Sequence, residues 1–106
     1  MSEILVSPTV MDLGIIDASN PRSFEYNVTN LGYRELGLSV AASCGCSVPS
    51  IEPALLAPGQ GGKVKVTFDP LGKSGMQEKS IWVSYDDPIK GKQVTTVTFR
   101  AQIKSN

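Results

Sequence analysis

The sequence predicts an all-β sandwich, and three observations predict it. Apolar residues alternate with polar ones through successive short runs, which is the two-residue period of a half-buried strand. Ten glycines and seven prolines are more than a helical protein carries, and they fall between those runs, where turns belong. No stretch carries the helical apolar period. Six or seven strands result, in one domain over residues 1–106. A chain of this length buries roughly two-thirds of its unfolded surface, enough for one core without staples.

The elements follow in order. Ile4 to Val6 is a short apolar run ended by Ser7-Pro8, and Val10 to Ile16 resumes it around Gly14. A first strand broken by proline reads as an edge strand that switches between two sheets, because proline has no N–H for the ladder. Ala18-Ser19-Asn20-Pro21 is turn chemistry. Ser23 to Asn30 alternates with Phe24, Tyr26 and Val28 inward, and Asn30-Leu31-Gly32 turns it. Leu36 to Ala42 is the next strand. It runs into Ser43-Cys44-Gly45-Cys46-Ser47-Val48-Pro49, where Leu36, Leu38, Val40, Ala42, Cys44, Cys46 and Val48 share one parity. Both thiols are therefore expected to face the core if the strand persists that far.

Pro49 is expected to end pairing, and Ile51 to Leu56, broken by Pro53, reads as irregular or as one helical turn. Ala57-Pro58-Gly59 is a turn. Lys63 to Asp69 alternates with Val64, Val66 and Phe68 inward. Gln77 to Tyr85 puts Ile81, Val83 and Tyr85 on one face and Trp82 on the other. After the Asp86 to Gly91 loop, Val94 to Ile103 places Val97, Phe99, Ala101 and Ile103 inward. The expected core is Phe24, Tyr26, Val28, Leu38, Val40, Val64, Val66, Phe68, Ile81, Val83, Val97 and Phe99.

Formal net charge is zero, which argues against a general nucleic-acid binder. Two bases stand against six acids up to residue 62, and eight against four after it. In a sandwich such halves interleave, so the asymmetry reads as solvated strand faces. Met1 is followed by Ser2 and Glu3 without a basic region and apolar stretch, and no apolar run approaches the ~20 residues of a membrane helix. A cytoplasmic or virion location and no membrane partner are the expectations.

The two cysteines admit four readings: buried reduced thiols, a Cys44–Cys46 redox pair or disulfide, half of a metal site, or a nucleophile. Two thiolates supply half of a tetrahedral zinc site, yet the chain has no histidine and no third cysteine. The missing histidine also removes the usual general base. Asp86 and Asp87 suit either a hard cation or an Asp-Asp-Pro turn. Gly59-Gln60-Gly61-Gly62 lacks the following helix and Lys-Ser/Thr of a phosphate loop. No cofactor is expected.

Ser43 to Pro49, then Leu56-Ala57-Pro58-Gly59, then Gly62 to Asp69 together resemble a bacterial and phage family of unknown function with a Ser-Cys-Gly-Cys segment, a Pro-Gly turn and a Val-x-Phe strand. Asp12 to Ile16, Phe24 to Gly32 and Ser84 to Pro88 extend the likeness over about residues 10 to 103. The resemblance implies an immunoglobulin-like β-sandwich of about seven antiparallel strands, akin to major sperm protein, Hydin-type and PapD-type domains. Those relatives bind and assemble; they are not enzymes.

The expected function is a non-catalytic protein–protein interaction or assembly module, self-association included. A phage virion accessory protein and a small thiol redox protein using Cys44 and Cys46 are the rivals; neighbouring capsid or tail genes would single out the first, and native thiol titration the second. Contact is expected through a terminal edge strand, with Ile4, Val6, Thr96 and Thr98, or through Trp82, which is either a loop's packing partner or an exposed anchor. The loop end around Cys44, Gly72 and Asp87 is the other expectation.

Overall fold

Ten strands form in the computed structural model, which describes residues 3–104. They are β1 (Ile4–Ser7), β2 (Val10–Asp17), β3 (Arg22–Asn30), β4 (Leu36–Gly37), β5 (Ser39–Ala42), β6 (Ser47–Glu52), β7 (Leu55–Leu56), β8 (Gly61–Phe68), β9 (Gly75–Asp87) and β10 (Gly91–Lys104). Met1 and Ser2, read above for a leader, lie outside the described residues. One four-stranded sheet, sheet A, has the order β1-β3-β8-β6, and a second, sheet B, the order β2-β10-β9-β5; β4 and β7 make a two-stranded ribbon.

The expected count of about seven strands is corrected upward for three physical reasons. The first strand divides at Pro8, and its halves join different sheets, as a proline-broken edge strand should. The Leu36 to Ala42 run divides at Leu38, whose N–H goes to the Ala54 carbonyl at 2.8 Å. The segment around Pro49 and Pro53 is not irregular: β6 pairs antiparallel with β8, Pro49 opposite Val66, and β7 follows. Proline is tolerated there because β6 is the edge of sheet A. One pairing also departs from the antiparallel expectation. The chain crosses from sheet A to sheet B between β1 and β2, so β2 runs parallel to β10.

The expected core faces inward. Ten of those twelve side chains are buried, and Phe24 and Val40 are partly buried against them. Phe99 sits at the centre, with ring centroids 4.9 Å from Phe24 and 5.1 Å from Phe68 in tilted and edge-on contacts that aromatic quadrupoles favour. Ile4, Val6, Ile16, Leu36, Leu56, Tyr85, Ala101 and Ile103 complete it. The Tyr26 hydroxyl, on β3, donates to the Thr98 carbonyl on β10 at 2.7 Å and so ties sheet A to sheet B. With no water to solvate a phenolate, burial pushes this phenol far above its ordinary value.

Phe68 is fully buried, so Phe68→Ala should cost about 3–5 kcal/mol, read as a lower midpoint in urea unfolding. Tyr26 gives a pH signature. Its folded-state pKa is raised, so its contribution is fully present below the unfolded value of about 10 and is lost as pH climbs from there toward the folded value. Thermal midpoints should therefore fall more steeply between about pH 9 and about pH 11 in the wild type than in Tyr26→Phe.

Candidate functional site

One end of the sandwich is built around a buried carboxamide. Asn30 ends β3 with no exposed surface. Its Nδ2 donates to the Arg34 carbonyl at 2.8 Å and to the Leu56 carbonyl at 2.9 Å, and its Oδ1 accepts from Gly32 N at 2.9 Å. Its backbone N–H donates to the Gln60 carbonyl, and its carbonyl accepts from Gly59 N. A β-carbon at position 32 would lie 2.5 Å from Glu3 Oε1 and 3.3 Å from Asn30 Oδ1, so any side chain there would push the Glu3 carboxylate out of its place.

Arg34 joins this turn to the β9–β10 loop. Its Nη2 lies 3.0 Å from Glu3 Oε2 and 3.1 Å from Asp87 Oδ2. Glu3 is held in turn: its N–H donates to the Tyr85 hydroxyl at 2.9 Å, and its carbonyl accepts from Leu31 N at 2.7 Å. The other Asp87 oxygen accepts from the backbone N–H groups of Ile89 and Lys90 at 2.8 and 2.9 Å. Those two bonds, the one to Lys90 first, hold the Asp87 carboxyl below its usual range, and Arg34 adds to the effect. The carboxylate is thus engaged in a turn and an ion pair. Between these fixed points Leu31, Tyr33 and Ile89 stand in solvent; Tyr33 is 100% and Ile89 93% exposed. The sequence reading missed all three. All three lie in turn segments rich in Asn, Gly and Asp, where the sequence alone does not say which way a side chain points.

The cysteines occupy the corner where the chain passes from β5 in sheet B to β6 in sheet A. Cys44 and Cys46 form a disulfide, with Cα atoms 5.1 Å apart. Of the four readings, the structure holds the bonded pair and corrects that of two reduced thiols: both sulfurs are used in that bond, so in this form neither is a nucleophile or a metal ligand. Each side of the corner continues a ladder. Ser43 N–H donates to the Ser80 carbonyl at 3.0 Å and the Ser43 hydroxyl accepts from Ser80 N at 2.9 Å, while Asp69 N–H donates to the Cys46 carbonyl at 2.9 Å. The corner also breaks the expected parity. Burial alternates through Cys46, which packs against the core, then resets, so that Ser47 is buried and Val48 is 67% exposed.

The expected contact residues fall in three places. Ile4 and Val6 point into the core, and β1 presents Leu5, 54% exposed, and Ser7 outward instead. Thr96 and Thr98 are not on an edge, because β10 lies between β2 and β9. Trp82 is on the outer face of sheet B, 36% exposed, flanked in register by Ala41 and Thr96. Beside it a recess of about 430 Å³ is lined by Ser39, Ala41, Ser84, Lys92 and Val94. The outer face of sheet A has a paired polar centre, where Lys63 bonds Asn27, Ser23 meets Thr67, and Lys65 meets Glu52, with Leu5 and Val48 exposed on its two edge strands. Gly72 and Asp87 do not share a loop end. The thirteen residues of β9 stand nearly whole between them, roughly 40 Å of strand.

The model of a family described as protein of unknown function (DUF1573) matches residues 4–103. In fold the chain is similar to a protein of unknown function from Porphyromonas gingivalis W83, with 19% identity over 93% of this chain and 46% of that one and a TM-score of 0.78. It is similar to the ASH/PapD-like domain 7 of human CEP192, with 11% identity, 98% and 87% coverage and a TM-score of 0.77. It is similar to the YadV chaperone, with 15% identity, 98% and 53% coverage and a TM-score of 0.73. The chain thus spans about half the length of the first and third of these. What is shared at such identities is the immunoglobulin-like, PapD-type sandwich. No curated protein sequence matches the chain.

Replacing Asn30 by Ala leaves the Arg34 and Leu56 carbonyls and the Gly32 N–H without their partner. A loss of about 1–3 kcal/mol is expected for each buried group left unpaired, read by urea unfolding.

Proposed function

The chain belongs to the DUF1573 family of proteins of unknown function, and on that premise we propose that it is a non-catalytic protein–protein interaction module that meets its partner at the loop end carrying Leu31, Tyr33 and Ile89. The observation that supports this reading is the contrast at that end between what is fixed and what is exposed. Asn30 and Arg34 hold the two loops together through bonds to Glu3, β7 and β9, and three large apolar side chains project from them. Loops on a rigid scaffold are where binding residues concentrate. A surface ordered before contact loses less entropy on binding, and tyrosine is enriched among residues that dominate interface energetics. Against an enzyme stand the absence of histidine, the bonded cysteines and the engaged Asp87 carboxylate.

The test is affinity capture from the native host with wild type and with Tyr33→Ala/Ile89→Ser. The double variant should melt with the wild type, since both side chains are solvated, yet recover the specific partner about tenfold less well. Equal recovery would sink the assignment. So would a turnover that depends on the Cys44–Cys46 corner.

A further inference from the structure

The disulfide at the β5–β6 corner is poorly placed to act as a staple. It spans Gly45 alone, and the stabilisation a disulfide draws from chain entropy shrinks with the loop it closes. The corner is also held by other means. On the sheet B side Ser43 exchanges two hydrogen bonds with Ser80, and on the sheet A side the Cys46 carbonyl accepts from Asp69 N. Within the corner the Ser47 N–H donates to the Cys44 carbonyl at 3.1 Å. None of these bonds involves a sulfur.

Each sulfur, in contrast, has a donor aimed at it. The Cys46 N–H donates to Cys44 Sγ at 3.1 Å. The Ser47 hydroxyl, in a residue only 5% exposed, lies 3.8 Å from Cys46 Sγ. A bonded sulfur carries no proton, so the hydroxyl is the donor. A donor aimed at sulfur favours the thiolate, which is the form in which a sulfur leaves a disulfide. The two sulfurs differ in access. Cys46 packs against the core, while Cys44, half-buried, stands outside that cluster. Gly45 between them is exposed, and a β-carbon there would meet nothing within 4 Å, so the space beside the disulfide is open.

We propose that this corner is a thiol-exchange site, which takes the thiolate of a cysteine, in a partner chain or in a small thiol, at Cys44 Sγ. The incoming sulfur supplies the electron pair for a new S–S bond to Cys44. The Cys44–Cys46 bond breaks, and its pair leaves on Cys46 Sγ, where the Ser47 hydroxyl donates to it until solvent protonates it. The product is a mixed disulfide at Cys44 and a thiol at Cys46. One disulfide is lost and one is gained, so no oxidant is needed. A second thiolate attacking the incoming sulfur would release Cys44 as a thiolate, with the Cys46 N–H already directed at it. Each chain reacts once, so this is a covalent hold and not a turnover. It uses a site apart from the loop end and does not depend on it.

The oxidised wild type is mixed at neutral pH with glutathione or with a capped cysteine peptide, quenched with iodoacetamide, and read by intact mass and peptide mapping. One adduct per chain is expected, on Cys44, with Cys46 alkylated. Faster reaction of the peptide would point to partner chains and faster reaction of glutathione to small thiols; both support exchange at this site. Ser47→Ala should slow the adduct by about fivefold or more, and Ser47→Thr, which keeps the hydroxyl, should restore it. The reduced wild type should still melt in one cooperative transition. Tyr33→Ala/Ile89→Ser should react like the wild type, so failure of the loop-end assignment and failure of this one are read separately. An adduct on Cys46, an unchanged rate in Ser47→Ala, loss of the cooperative melt on reduction, or reaction only in urea that unfolds the chain would each overturn the proposal.

Discussion

The Asn30 carboxamide is the constraint on which the ordered end of this molecule depends. A buried amide is costly unless each of its groups is paired, and here the partners come from the following turn and from β7. Because Leu56 supplies one of them, the ribbon of β4 and β7 is drawn against the end of β3. Because Arg34 supplies another, its guanidinium is delivered to Glu3 and Asp87. Removing a polar group from a core is often harmless when its partners go too. Here the partners are backbone carbonyls, which no side-chain change removes.

Two crossings close the sandwich at its opposite edges. At one, Ser7-Pro8-Thr9 carries the chain from β1 in sheet A to β2 in sheet B. At the other, the Cys44–Cys46 corner carries it from β5 back to β6. Between them the Tyr26 hydroxyl binds a β10 carbonyl through the middle of the core. Each crossing uses residues that interrupt alternation, and each lies where the strands beside it have an unshared flank.

That pattern also explains what was legible. β3, β8 and the parts of β9 and β10 over 81–85 and 97–103 carry their apolar residues on one face, so their inward residues could be named from the sequence. Leu56 could not, because its burial comes from Asn30 and the ribbon rather than from any local period. Val48 was misplaced by counting parity through a corner. Pro49 was taken as a strand end because the rule that bars proline from ladders does not apply on an edge, and which strands are edges is a property of the sheet order. For the same reason β10, last in the chain, was read as peripheral though it is central. The exposed Leu31, Tyr33 and Ile89 were missed because nothing local separates an outward aromatic in a turn from a buried one. Trp82 was seen to face away from the core, but its neighbours Ala41 and Thr96 come from distant strands.

The parallel pairing of β2 with β10 has a mechanical consequence. These two strands lie nearest the two ends of the described chain, apart from short β1. If the ends are drawn apart, β2 is pulled toward its start and β10 toward its finish, which for parallel neighbours are opposite directions along one axis. The six register pairs from Val10–Thr98 to Asp17–Lys104 are then loaded together, in shear, and must yield as a group. An antiparallel hairpin pulled from its two open ends unzips one bond at a time. Tension passed beyond β1 therefore meets this pair along its strongest direction.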